Sequence, residues 1–267
     1  MTPWIRRALS VVAVGLVTGL AGCQQNTVRP DSGGADATGQ LGTVKRSSPA
    51  DLYVELALGY LRERQYAEAL KNAKKATLID PHNANGFTIL GVVYQQLGES
   101  GQAAKAFKSA IAADPRDPYA LNAYGSFLCG AKEYAEADEM FGRAVSNPLY
   151  QTPWVAQTNA GICAYDAGDK AKAETYLRRA LQARNDFAPA LLRMAQISFE
   201  GGNTLSARAY LQRYEAAAEH TAESLWLGIQ TERALGDKDQ AASYALLLRS
   251  KFPDSEQVRL LNDSRAP

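Results

Sequence analysis

Chemistry in this 267-residue chain would need nucleophiles, bases or metal ligands at workable spacing, and it offers three cysteines and two histidines. His82 follows Pro81 and His220 falls between two expected helices. Neither has cysteines or carboxylates at ligand spacing, so no metal site is expected. GxSxG, GxxxxGK and HExxH are all absent. Cys129 and Cys163 stand 34 residues apart, and Cys23 closes an apolar run. These residues assemble no catalytic centre: the expectation is a protein that is no enzyme, needs no cofactor and acts on no small-molecule substrate.

The 34-residue interval is a property of the whole chain. Ala69, Ala103, Ala137, Ala173, Ala207 and Ala241 recur at steps of 34, 34, 36, 34 and 34. In the second unit Phe87, Leu90, Gly91, Tyr94, Ala103, Phe107, Ala110 and Pro115 keep an order of large, large, small, large, small, aromatic, small and proline. That period and order resemble the tetratricopeptide repeat, a helix–turn–helix that buries its apolar face only by stacking on its neighbours. The chain is therefore expected to be all-α: a superhelix of about six units, near 50–83, 84–117, 118–153, 154–187, 188–221 and 222–255, with a short cap over Glu256–Asn262. Glycine precedes the periodic alanine by five positions at Gly98, Gly168, Gly202 and Gly236, as a turn residue between helices A and B should. Two extra residues in the Asn147–Pro153 connection predict a bend or shift between the third and fourth units. Cys129 and Cys163 fall late in the A helices of those two units. Two readings stand: a disulfide stapling neighbouring helices, or two buried thiols filling small core positions.

In such repeats positions 2, 5, 9, 12 and 13 of helix A line a groove. Here they give Asn85, Thr88, Val92, Gln95 and Gln96 in the second unit, and Tyr119, Asn122, Ser126 and Cys129 in the third. Val155, Thr158, Ile162, Tyr165 and Asp166 follow in the fourth. Asn85, Thr88, Gln95, Tyr119, Asn122, Ser126, Thr158 and Tyr165 are the expected partner contacts. The Asn122 amide offers donors and acceptors that a helix ladder does not use, or it bonds a neighbouring unit. The lining is neutral and lacks a lysine–asparagine carboxylate clamp, which suits a partly apolar protein segment.

The first 22 residues are of another kind: Arg6 and Arg7, an apolar run over Leu9–Leu20, then Leu20-Ala21-Gly22-Cys23. The run is shorter than the roughly 20 residues of a spanning helix and reads as a cleaved signal peptide, 1–22. Leu-Ala-Gly-Cys is similar to the lipobox of bacterial lipoproteins, which implies an acylated Cys23. Gln24 and Gln25 stand where inner-membrane lipoproteins often carry aspartate, so the implied destination is the periplasmic face of the outer membrane. Residues 23–48, rich in small and polar types, are expected to be a flexible tether with a reach of about 25–30 Å, ahead of a repeat domain over 49–267. The chain carries 29 basic and 28 acidic residues, and loss of Arg6 and Arg7 leaves 27 − 28 = −1. No nucleic-acid partner is expected from that balance.

Together the lipobox, the short tether, six repeats, Leu121-Asn122-Ala123-Tyr124-Gly125-Ser126-Phe127-Leu128 and Ser224-Leu225-Trp226-Leu227-Gly228-Ile229 resemble the PilF/PilW family of type IV pilus biogenesis lipoproteins. The resemblance implies a pilotin, which holds a secretin subunit so that it reaches the outer membrane and multimerises. A scaffold recruiting cell-wall enzymes, or a part of an outer-membrane protein assembly machine, is the alternative. Members tend to carry a second asparagine where this chain has Ala123, and some pair cysteines in neighbouring third and fourth repeats, as Cys129 and Cys163 would.

Overall fold

The computed structural model describes residues 48–263, and every regular element in that span is an α-helix. The helices form six hairpins: α1 (Pro49–Arg62) with α2 (Tyr66–Ile79), α3 (Ala84–Gln96) with α4 (Ser100–Ala113), α5 (Pro118–Gly130) with α6 (Tyr134–Val145), α7 (Pro153–Asp166) with α8 (Lys170–Ala183), α9 (Ala188–Glu200) with α10 (Thr204–Ala217), and α11 (Ala222–Leu235) with α12 (Lys238–Lys251). A short α13 (Glu256–Asp263) follows and packs on α11 and α12, burying Val258 and Leu261 over the last hairpin. The expected signal peptide, nearly all of the expected tether, and Cys23 lie outside the described residues. Among the described residues no helix is long and apolar enough to cross a membrane.

Local chemistry sets the helix ends. The Ser48 hydroxyl accepts from the Asp51 amide at 3.3 Å while the Asp51 carboxylate accepts from the Ser48 amide at 2.8 Å, a reciprocal cap for α1. Asn83 caps α3 through the Gly86 amide and Asp117 caps α5 through the Tyr119 amide. Between helices A and B the chain turns through a left-handed residue. Glycine holds it at Gly98, Gly168, Gly202 and Gly236, but Arg64 (φ 58°) and Lys132 (φ 65°) hold it in the first and third units, where a side chain strains the backbone.

Within a hairpin, small residues let the helices approach. A Cβ on Gly91 would lie 2.7 Å from the Phe107 ring, one on Gly125 2.9 Å from the Phe141 ring, and one on Gly161 2.7 Å from Leu177 Cγ. Between hairpins the packing is asymmetric. Each A helix backs directly onto the next A helix, from α1 through α11, whereas the B helices stand farther apart; α6 and α8 meet through side chains, the Asp138 carboxylate accepting from the Tyr176 hydroxyl at 2.8 Å and pairing with Lys172 at 2.8 Å. The spacing is thus tighter on the A side, and the stack curves with its A helices inward. The apolar core runs from Val54 on α1 to Cys163 on α7, a second segment covers Ala164–Tyr214, and a third joins α11–α13. Ala195, Leu211 and Leu227 link the fifth unit to the sixth.

At the connection with two extra residues the stacking continues: α5 touches α7 as α3 touches α5. The two extra residues lie in a tucked loop. Tyr150 turns inward to 5 % exposure and sets its ring edge-on to Tyr119, centroids 5.1 Å apart. The Asn147 amide and the Arg143 guanidinium donate to the carbonyls of Arg116 and Pro115, each at 2.8 Å, tying this loop to the preceding one. Beside it the structure pairs Cys129 with Cys163 as a disulfide across α5 and α7, with Cα atoms 5.7 Å apart.

Candidate functional site

The A-helix face sorts the expected contact residues into three groups. Thr88 and Thr158 are buried at 2 % and 1 % exposure, and each hydroxyl donates to the carbonyl four residues back, Ala84 and Trp154, at 2.8 Å. Their polarity is spent within the helix, and a partner does not reach them. Asn122 is wholly buried; its Oδ1 accepts from Asn159 Nδ2 at 3.0 Å across α5 and α7, and its own Nδ2 has no protein partner. Of the two readings of Asn122, the geometry favours the inter-unit one. The Ser126 hydroxyl likewise donates to the Asn122 carbonyl at 3.0 Å. Asn85 and Tyr119 are half-buried, the latter committed to Tyr150, while Gln95 stays exposed.

Tyr165 sits in the most polar part of this face. Its hydroxyl donates to the Glu200 carboxylate and accepts from Gln196 at 3.0 Å, Lys170 reaches Glu200 at 2.7 Å, and the Arg193 guanidinium stands 4.8 Å from the ring centroid. Burial and the bond to Glu200 push the Tyr165 phenol up to about 12. Burial opposes the Glu200 charge, yet bonds from Lys170, Tyr165 and Gln196 hold its carboxyl below the ordinary range. This is a fixed joint between the fourth and fifth units. Arg208 and the buried Glu232 make the corresponding joint between the fifth and sixth.

A surface that repeat positions do not flag lies on α1, the first of the described helices. Leu52 and Leu56 on α1 are 44 % and 41 % exposed and, with Glu55, Gly59, Tyr60 and Glu63, line a groove of about 410 Å³. Adding 34 to Leu52, Leu56 and Gly59 gives Gly86, Leu90 and Val93, which are all buried on α3, a helix that α2 packs against; a Cβ on Gly86 would meet Thr77 and Ala76 of α2 at 3.3 and 3.5 Å. On α1 no helix of the described residues takes that place. Among the described residues the groove is a stacking face with no helix against it, and its counterpart on α3 receives small side chains of α2, Ala76 and Thr77. The signal for it was present in Leu52 and Leu56, but only the end of the array makes them available.

Among the described residues no cluster of three or more metal-ligating side chains occurs.

Known proteins share this architecture and more. A tetratricopeptide repeat family model matches residues 90–148 and 158–220. The type IV pilus assembly protein PilF of Pseudomonas aeruginosa is 31 % identical over 244 residues, 90 % of this chain and 92 % of the relative. The crystal structure of PilW, a widely conserved type IV pilus biogenesis factor, is similar with a TM-score of 0.73 at 31 % identity, covering 80 % of this chain and 99 % of that one. A Pseudomonas aeruginosa PilF structure gives a TM-score of 0.72 at 30 % identity, over 81 % and 97 % of the two chains. With identity at this level along nearly the full length of both chains, the protein belongs to the PilF/PilW family of type IV pilus assembly factors, which are not enzymes.

Proposed function

We propose that the protein is a pilotin: a lipid on Cys23 holds it at the periplasmic face of the outer membrane, and its repeat stack binds secretin subunits of the type IV pilus and promotes their localisation and multimerisation there. The observation that carries the reading is the match along nearly all of both chains to a type IV pilus assembly protein. The stack supplies an exposed apolar groove on α1, which suits a factor that escorts and assembles a partner. The α1 groove receives a helical secretin segment with small apolar residues, and the Cys23 lipid fixes where that meeting occurs. Two acyl chains turn marginal membrane binding into stable anchoring.

Deleting the gene should remove the heat-resistant secretin multimer while monomer persists, and Cys23→Ala should leave multimer absent from the outer membrane. A Leu52→Asp/Leu56→Asp protein of unchanged helix content should fail to restore multimers. Normal outer-membrane multimers in the deletion strain would refute the pilotin reading; normal multimers with the leucine variant would move the binding site elsewhere.

A further inference from the structure

On the outer, B-helix side the charges are unevenly shared. The exposed stripe of α2 carries Lys71, Lys74, Lys75 and Leu78, spaced i, i+3, i+4 and i+7, and that of α4 carries Lys105 and Lys108. Glu68 is the one acidic residue in the two helices and pairs with Lys71 at 3.4 Å; Glu63, Asp80, Glu99 and Asp114 sit in the flanking turns. Lys75 lies 4.3 Å from the Tyr53 ring centroid and Lys74 5.8 Å from that of Tyr94, contacts that neutralise neither charge. Among the described residues Lys74, Lys75, Lys105 and Lys108 have no carboxylate partner, whereas on α8 Lys170, Lys172 and Arg178 each face one, in Glu200, Asp138 and Glu174. Leu78, at 80 % exposure, and Ile79, at 43 %, project from the end of the same α2 stripe. Lys45 and Arg46 precede α1 in the sequence.

We propose that the outer face of the first two units lies against an anionic phospholipid surface. A basic stripe with an exposed aliphatic residue at its end is the chemistry that phosphate headgroups and the acyl boundary recognise. Of anionic partners a membrane is favoured because these units are the first after the tether; that part of the argument rests on the lipid-anchor reading. Seated in this way, the stack turns its A-helix face away from the lipid and towards an arriving subunit. Each lysine brought to such a surface contributes about fivefold in affinity at moderate salt.

The test uses the chain from residue 23 onward with Cys23→Ala, so that no acyl group contributes, sedimented with vesicles of phosphatidylcholine alone or with about 30 % phosphatidylglycerol, an anionic content chosen to set up the surface potential. The expected result is binding to the anionic vesicles only, weakened at least tenfold at about 0.5 M salt, where screening is nearly complete within a few ångström. Lys71→Gln/Lys74→Gln/Lys105→Gln/Lys108→Gln should lose at least tenfold, and Lys172→Gln/Arg178→Gln should bind as the parent does. Equal binding by the quadruple variant, or no binding to anionic vesicles, overturns the proposal. Mass spectrometry of Cys23 in cells reports separately on the anchor: an unmodified Cys23 would sink that reading while leaving the vesicle result to stand on its own.

Discussion

The close approach of Gly91 to Phe107 makes a quantitative prediction. Gly91→Ala would set a methyl carbon 2.7, 2.8 and 2.9 Å from three ring carbons of Phe107. Ordinary carbon–carbon contact lies near 3.5–4.0 Å, so ring and helix must part by roughly 1 Å. The ring cannot simply retreat, because it is fully buried and held by Tyr124 and Phe127 at centroid distances of 5.8 and 5.3 Å. Overpacking of this kind costs about 2–3 kcal/mol, from which the better helix propensity of alanine returns about 1, leaving a net loss of about 1–2 kcal/mol. The chain itself supplies the remedy: the fifth unit holds Ala195 and Leu211 at the equivalent places, both buried. Phe107→Leu alone should cost about 1 kcal/mol through lost volume. The double variant should be less destabilised than the sum by at least about 1 kcal/mol. Urea midpoints of the four proteins, followed by helix signal and checked by hydrogen exchange in α3 and α4, measure that coupling. If the two single losses simply add, the steric account of this position is wrong.

Lys132→Gly should raise stability by about 0.5–1 kcal/mol in urea titration, because it relieves a left-handed residue at a cost in unfolded-chain entropy. The Cys129–Cys163 bond should contribute about 2–4 kcal/mol, so reduction should lower the thermal midpoint of the wild type and leave that of Cys129→Ser unchanged. Burial raises the Asp117 carboxyl above its ordinary value despite its bonds to the Tyr119 and Ala120 amides. The folded state then holds that proton more tightly than the unfolded one, and its contribution falls as pH rises through the raised value. Asp117→Asn, which retains a capping oxygen, should therefore gain on the wild type in urea midpoint between pH 3.5 and pH 7; an equal difference at both would contradict this.

The helical stack was legible because its determinants are local and recur. Ala103 with Phe107, and Pro115 after them, state in side-chain volume where two helices cross and where the unit stops. The groove was less legible. Thr88, Asn122 and Thr158 occupy groove positions by count, but burial depends on how closely the next A helix approaches, and helix spacing is set by every side chain between them. A turn pattern based on glycine passes over Arg64 and Lys132, whose strained backbone is held by the hairpins around them. Leu52 and Leu56 follow the pattern of any stacking face, and only the lack of a preceding helix among the described residues exposes them. Where the extra residues before Pro153 go was not legible, because sequence counts them without showing that Tyr150 has Tyr119 to lie against.

The links between hairpins also bear on mechanics. The A helices back onto one another along the inner line. Near the middle of the stack the outer line is linked too, because Asp138 on α6 holds Tyr176 and Lys172 on α8. The bond between α5 and α7, the Tyr165–Glu200 joint and the Arg208–Glu232 joint then carry a pull from the third unit to the sixth through covalent and polar links as well as packing.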